Sequence, residues 1–364
     1  MEHFIHLFIL TLVIKHHFGI FEKAAVKGGM VGFRNSTRNE TFSVEQHLRF
    51  AMSYLAEGAF SEAMIAFKEI LRHDFSNESA EIGGKCCNYW KVKIEKIRKE
   101  KDKKSFSCYK AGNFLYEEWR KFILTFNSYK ENEIIILDCV KYYVLRLSLE
   151  YLKKAESEED TTINVVPLFA LIGFLNKILR NYEEAICYFQ KVIQIEHFNA
   201  DAYAQLGNCY ELQGEERAAK IMMREAFFLN PAAVDLTKLE NSQLILRIFS
   251  VMKQYDIASG AFVFWIPVYA RVYNVFDVKR ELGDEEVIRI QKDISNLRNE
   301  LENNQEAMKN KNEAEKFKAM LLIRYFWLYD YFQGKENAKD EIKKVEERIK
   351  DLSCTIYNIF KNSI

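Results

Sequence analysis

The chain has 364 residues, with 52 lysines and arginines against 52 aspartates and glutamates, so its formal net charge is zero. This balance argues against a uniformly basic nucleic-acid-binding protein. Three prolines and fourteen glycines leave few helix breakers. The composition therefore favours an all-α protein of long helices over a β-sandwich or barrel.

Residues 1–40 are interpreted as an N-terminal leader and linker. They begin with an apolar run, Phe4 to Ile14, which is interrupted by His6 and followed by Lys15. The run is too short to span a bilayer, and no basic segment precedes it. We predict a leader helix here. A signal peptide or membrane anchor and a misassigned start codon are the alternatives.

A repeat is most regular in residues 200–233. Small, aromatic and turn residues occur there at fixed intervals: Tyr203, Leu206, Gly207, Tyr210, Gly214, Ala219, Ala226 and Pro231. Gly207 and Ala219 are small where two helices must approach closely, and Gly214 ends the first helix. Residues 166–199 and 44–77 repeat the scheme, although Arg180 replaces the glycine in the first of these. Three such copies predict a helical repeat protein.

This spacing resembles the tetratricopeptide repeat, in which two antiparallel helices form each unit. The resemblance implies a TPR-like α-solenoid, which we place at residues 41–234. Two adjoining repeats and one separate repeat cannot bury a continuous core alone. Helical periodicity over 80–103, 109–127 and 132–155 therefore predicts divergent helical pairs between them, with Trp119, Phe122 and Phe126 on one side.

Residues 235–280 are predicted to form an aromatic-rich helical cap. A helix is expected over 238–255, with Leu244, Ile248, Val251 and Met252 inward. The most apolar stretch of the chain follows at 257–276, where Gly260 and Pro267 are among the residues that interrupt it. A buried capping segment is the preferred interpretation of this stretch, and a transmembrane span is the alternative.

Residues 281–364 carry a heptad pattern. Apolar residues recur three and four apart at Val287, Ile290, Ile294, Leu297 and Leu301, and again from Ala338 to Ile359. We predict a coiled-coil-like helical hairpin whose turn lies near Gly334. Two short heptad runs are equally consistent with an oligomer formed through these helices, so both interpretations stay open.

No motif for catalysis, metal binding or a cofactor is present in the sequence. Gly83–Lys85 lacks the residues of a phosphate loop, and Cys86–Cys87 has no third ligand nearby. The seven scattered cysteines are interpreted as free thiols in a reducing compartment, which predicts a cytoplasmic location. The basic run from Lys85 to Lys104 is interpreted as a solvated helix face, with an anionic membrane or a partner protein as the main alternative contact.

The resemblance also implies a partner groove lined by the first helix of each repeat. Carried over position by position, the groove consists of Leu48, Met52, Phe174, Lys177, Ile178, Asp201, Asn208 and Glu211. Asn208 alone matches the clamp that holds C-terminal carboxylates in this family. A groove this apolar suits an amphipathic helix or an extended apolar peptide. Occupation of the groove by the chain's own flanking helix is the competing interpretation.

These features predict a non-enzymatic scaffold that binds other proteins, not nucleic acid, and needs no cofactor. The alternative is a membrane-associated structural component of a large assembly. The stretch VFWIPVYARVYNVFDVKREL, residues 263–282, resembles repeat proteins of spirochaetes. Some of those belong to the collar around the periplasmic flagellar motor, and the resemblance implies such a place as the alternative role.

Overall fold

The computed structural model describes residues 42–101, 103, 106–125, 131–158, 163–239, 241–303 and 309–363. Within these ranges the chain forms fifteen α-helices, three short 3₁₀ segments and no β-strand. The all-α prediction is confirmed. The leader and linker at residues 1–40, with the run from Phe4 to Ile14, lie outside the described residues.

The described chain forms two compact units, the first ending at Tyr188 and the second beginning at Phe189. The first unit contains α1 (Val44–Glu57), α2 (Phe60–His73), α3 (Glu78–Glu100), α4 (Cys108–Ile123), α5 (Glu131–Ser157) and α6 (Val165–Ile178). The division falls within α7 (Tyr182–Ile195). The second unit contains α8 (Ala200–Leu212), α9 (Glu216–Leu229), α10 (Gln243–Met252), α11 (Phe262–Val272), α12 (Asp284–Asn303), α13 (Lys311–Gln333), α14 (Lys339–Leu352) and α15 (Cys354–Ser363).

Each of the three sequence repeats contains two helices, and one residue between them has a left-handed backbone conformation. The fifteenth residue of each repeat has a positive φ, 75° at Gly58, 64° at Arg180 and 84° at Gly214. A left-handed residue directly after a helix lets the chain turn back, and glycine adopts that conformation without a steric cost. Arg180 departs from glycine in the sequence, yet its backbone has the same conformation as the other two.

Small residues lie fully buried at equivalent positions of the three second helices. Ala63, Ala185 and Ala219 each have no exposed surface. In the last repeat the two helices meet so closely that a Cβ atom on Gly207 would lie 3.1 Å from the carbonyl oxygen of Ala219. Small side chains at a crossing allow this approach, and they set the distance between the paired helices.

The last residue of a repeat caps the next helix. The side chain of Asn77 accepts a hydrogen bond from the backbone N–H of Ala80, at 3.0 Å, at the start of α3. Asn199 accepts one from the N–H of Ala202, at 2.9 Å, at the start of α8. Asparagine caps satisfy N–H groups that have no partner within the helix. The repeat boundaries at residues 77 and 199 are therefore helix boundaries.

Three helices, α3, α4 and α5, lie between the first two repeats. The prediction of three helical segments there is confirmed, and their arrangement as divergent pairs stays a prediction. The long helix α5 packs against α1, α3 and α4. Its Tyr143 ring fills the space beside Gly58 and meets the Phe60 ring edge-on at 5.6 Å. Phe126 lies outside the described residues.

The capping region of the second unit is built from short helices. The predicted helix over 238–255 is replaced by a 3₁₀ segment, Leu236–Leu239, and by α10, which Ser242 caps. The apolar stretch 257–276 contains α11, whose Ile266 and Val268 are fully buried. None of the helices that the structure describes combines the length and the apolar content needed to cross a bilayer.

The C-terminal region contains four helices, α12 to α15. Residues from Ala338 to Ile359 are not one helix, because Ser353 is extended and its hydroxyl accepts a hydrogen bond from Ile356 N–H as α15 begins. Four heptad residues of α12 are buried in the core of the second unit: Val287, Ile290, Ile294 and Leu297. Val345 and Ile349 of α14 are buried in the same core. The heptad pattern thus contributes to the unit's own core.

Gly58 and Gly214 provide a matched test of the close packing around the repeat turn. Both substitutions to alanine place a side chain at positive φ, which costs about 1–2 kcal/mol. Only at Gly58 does the new Cβ meet another residue, the Tyr143 ring at 2.0 Å, whereas nothing lies within 4 Å of a Cβ at Gly214. We expect Gly58→Ala to lose about 1–3 kcal/mol more unfolding free energy than Gly214→Ala. Urea unfolding followed by circular dichroism measures both, and equal losses would contradict the packing at Tyr143.

Candidate functional site

The predicted groove residues on α1 are half-buried and apolar. Leu48 and Met52 pack against the core of the first unit while part of each side chain remains exposed. The helix begins at Ser43, whose hydroxyl accepts the N–H of Gln46. Because α5 packs beside α1, the surface available at Leu48 and Met52 is smaller than an isolated repeat would offer.

The predicted groove residues on α6 form a patch of aromatic, apolar and cationic groups. Phe174 and Ile178 are half-buried, and Phe174 meets the Tyr116 ring edge-on with ring centroids 6.0 Å apart. The Lys177 ammonium lies 5.3 Å from the centre of the Phe174 ring, although the residue is only 7% exposed. A buried lysine stem beside an aromatic face adds apolar contact as well as charge.

Two residues of this patch were not predicted from the sequence. Tyr116 and Arg120 lie on α4, and the Arg120 guanidinium is 5.8 Å from the centre of the Tyr116 ring. The region around α4 has no repeat register, so no position in it could be assigned to a groove. The spacing of four between an aromatic residue and an arginine is the one sequence signal that indicates a shared helix face.

The predicted groove residues on α8 contact the chain's own following segment. Asp201 accepts a hydrogen bond from the backbone N–H of Asp235 at 3.0 Å and lies 3.6 Å from the Lys238 ammonium. Glu211 accepts the N–H of Leu244 at 2.9 Å, in the first turn of α10. These carboxylates therefore stabilise the start of the capping region.

Asn208, the residue that matches the carboxylate clamp, is 1% exposed. It lies on α8 between Asp201 and Glu211, and the 3₁₀ segment Leu236–Leu239 also contacts α8. Occupation of the groove by the chain's own flanking helix stays the competing prediction. Binding of a separate partner at the remaining groove positions stays a prediction.

Three cysteines of the first unit, Cys86, Cys87 and Cys108, are buried, Cys139 is partly buried and Cys187 is exposed. Burial raises the pKa of Cys87 and of Cys139 to about 12, and it raises that of Cys86 as well. A thiol with a raised pKa is a poor nucleophile, because the thiolate is the reactive form. Among the residues that the structure describes, no group of three or more histidine, cysteine, aspartate or glutamate side chains could hold a metal ion.

Part of the basic run on α3 is engaged within the first unit. Lys93 lies 2.5 Å from the Glu118 carboxylate, and Lys96 lies 5.7 Å from the centre of the Phe114 ring. Glu118 is buried, and it also accepts hydrogen bonds from Lys121 and from the Tyr89 hydroxyl. Lys93 therefore joins α3 to α4, in contrast to the solvated face expected for the run.

The protonation of Glu118 is controlled by these contacts. Burial alone raises the pKa of a carboxyl group, but the hydrogen bonds from Lys93, Lys121 and Tyr89 outweigh it and lower the pKa of Glu118 to about 2. Hydrogen bonds that favour the charged form have this effect. The carboxylate is therefore negative at every physiological pH.

No protein-family model matches the chain, and no curated protein matches it.

Glu118→Gln is expected to lower the unfolding free energy by about 1–3 kcal/mol at neutral pH, because Lys93 loses its charged acceptor. A carboxyl group with a lowered folded-state pKa stabilises the protein above its unfolded-state pKa, and that contribution is lost as pH falls through the folded-state value. The difference between wild type and variant should therefore shrink below about pH 4.5, toward pH 2. Urea unfolding at several pH values measures it. Glu117→Gln, at a neighbouring exposed carboxylate, is the control, and a pH-independent difference for Glu118→Gln would contradict the assignment.

Proposed function

We propose that this protein is a non-enzymatic scaffold that binds another protein through the α6 patch of Tyr116, Phe174, Lys177 and Ile178. The observation that carries the proposal is the half-exposed aromatic and apolar surface at predicted groove positions. Phe174 and Ile178 are half-buried, whereas Asp201 and Glu211 already bind the chain's own segment. A half-exposed apolar surface beside cationic groups is a common basis for binding a peptide segment.

The proposed architecture is a TPR-like α-solenoid followed by a C-terminal helical hairpin. Three features support the solenoid: the shared left-handed residue of the repeats, the buried alanines and the asparagine caps. For the hairpin, contacts of α13 with both α12 and α14 provide the support. Each repeat of a solenoid presents its first helix on one face, which would place Leu48 and Met52 on the same kind of surface as Phe174.

The proposed ligand is an apolar helix or an extended apolar peptide of a partner protein. The half-buried groove residues of the first unit, Leu48, Met52, Phe174 and Ile178, are all apolar, and the buried Lys177 places its charge over the Phe174 ring. An apolar ligand gains free energy by covering such side chains, at roughly 25 cal/mol per Å² of surface removed from water. A membrane-associated role is not proposed, because Phe4–Ile14 lies outside the described residues and α11 is buried.

Ile178→Glu and Ile65→Glu test the α6 patch with the same substitution at two places. Ile65 is 69% exposed on α2, outside the predicted groove. We expect Ile178→Glu to weaken partner binding at least about tenfold, because a charged group replaces an apolar contact. Ile65→Glu should leave binding unchanged.

Crosslinking mass spectrometry in the native cell identifies the partner and its contact face, and binding assays with that partner compare the variants. Both variants are first checked by circular dichroism for unchanged helix content and melting temperature. Crosslinks that avoid α4 and α6, or equal losses for the two variants, would overturn the α6 patch as the binding surface.

A further inference from the structure

A small cavity in the second unit brings three arginines together. It has a volume of about 60 Å³ and lies among α9, α11, α13 and the irregular segment 277–283. Phe227, Phe228 and Trp327 form its aromatic walls. The charged lining consists of Arg224, Arg271, Arg280 and Asp330.

Arg271 is fully paired with the carboxylate of the lining. Its Nε and Nη2 donate to the two Asp330 oxygens at 3.0 and 2.6 Å. Such a two-pronged pair fixes both side chains and neutralises both charges. The other two arginines of the lining, Arg224 and Arg280, are paired with Glu225 and Glu286.

Arg224 uses two of its three nitrogens to hold the 277–283 segment and a neighbouring acid. Nη1 donates to the carbonyl oxygens of Val278 and Lys279, at 3.2 and 2.5 Å, and Nη2 donates to Glu225 at 2.8 Å. The Nε atom is buried and has no acceptor among the described residues.

Arg280 lies on the 277–283 segment and, like Arg224, uses only two of its three nitrogens as hydrogen-bond donors. Its Nε donates to Glu225 at 2.9 Å and its Nη2 to Glu286 at 2.8 Å. The guanidinium lies 3.9 Å from the centre of the Phe228 ring. Its Nη1 atom is buried and also lacks an acceptor among the described residues. Two residues that line the cavity, on different elements, thus each have one buried N–H donor without an acceptor among the described residues.

A buried donor without an acceptor is costly, and a cavity that contains two such donors favours a ligand made of acceptor atoms. Guanidinium groups hold oxyanions especially well, because their planar N–H groups match two oxygens at once. The volume of about 60 Å³ equals roughly two water molecules' share of liquid water, whereas a cavity that takes benzene is about 150 Å³. The space therefore suits a small ion and excludes an aromatic side chain or a base.

An open cleft shares two lining residues with the cavity. Arg224 and Val278 line both spaces, and the cleft adds Arg217, Lys220 and Lys279. Lys220 is paired with Glu216 and Asp277, at 2.6 and 3.0 Å. Clefts with an excess of one charge concentrate ions of the opposite charge.

We propose that this cavity binds one small free oxyanion of the size of inorganic phosphate, held by Arg224 Nε and Arg280 Nη1. The ion connects α9 with the 277–283 segment. Because it binds only the folded second unit, it stabilises that unit, and the stabilisation grows with the logarithm of one plus the ratio of its free concentration to the dissociation constant.

The proposal is tested with inorganic phosphate on the full-length protein, by equilibrium dialysis at constant ionic strength. We expect saturable binding of about one ion per chain. Arg224→Lys and Arg280→Lys each keep the charge but remove the N–H donor, and each should weaken binding about tenfold or more. Arg217→Lys, in the cleft but outside the cavity, is the matched control and should change binding by less than about threefold.

Thermal unfolding provides an independent readout and shows whether each variant folds. Phosphate should raise the melting temperature of the wild type above its value in sodium chloride of equal ionic strength, and should not do so for a folded Arg224→Lys. Absence of saturable binding would overturn the proposal. If chloride raises the melting temperature as much as phosphate does, the proposal of an oxyanion as the ligand would be overturned. If Arg217→Lys weakens binding as much as the cavity variants do, the binding site would lie in the open cleft and not in the cavity.

Discussion

The structure depends on the close approach of two helices within a repeat. A chain that reverses direction in so few residues needs a left-handed residue at the helix end, and Gly58, Arg180 and Gly214 supply it. The following helix must then pack closely on the first, which the buried alanines at equivalent positions allow. These two requirements determine which side of each first helix faces away from its partner helix.

The predicted groove positions are apolar and half-buried on α6 but hydrogen-bonded to the capping region on α8. On α8 the capping region uses Asp201 and Glu211 as acceptors for its own backbone, so that face has an intramolecular function. On α6, Phe174 packs edge-on against Tyr116 and stays half-exposed. The predicted groove positions therefore have different surroundings in the two units.

The zero net charge of the chain conceals strongly organised local charges. Glu118 is buried with two lysines and a tyrosine around it, and its carboxylate joins α3 to α4. Arg224 and Arg280 share Glu225 and hold the 277–283 segment against α9. In each case a charged group is buried because partners of opposite charge compensate the loss of hydration.

The sequence by itself determined the all-α class, the repeat boundaries and the turn positions, because spacing, small residues and caps are local requirements of a helix pair. It also located Leu48, Met52, Phe174 and Ile178 as surface positions of first helices. Only the tertiary structure showed the break at Ser353 and Tyr116 beside Phe174. It alone also showed that the capping region covers Asp201 and Glu211. These features depend on contacts between residues distant in sequence, and no local pattern encodes which distant side chain meets another.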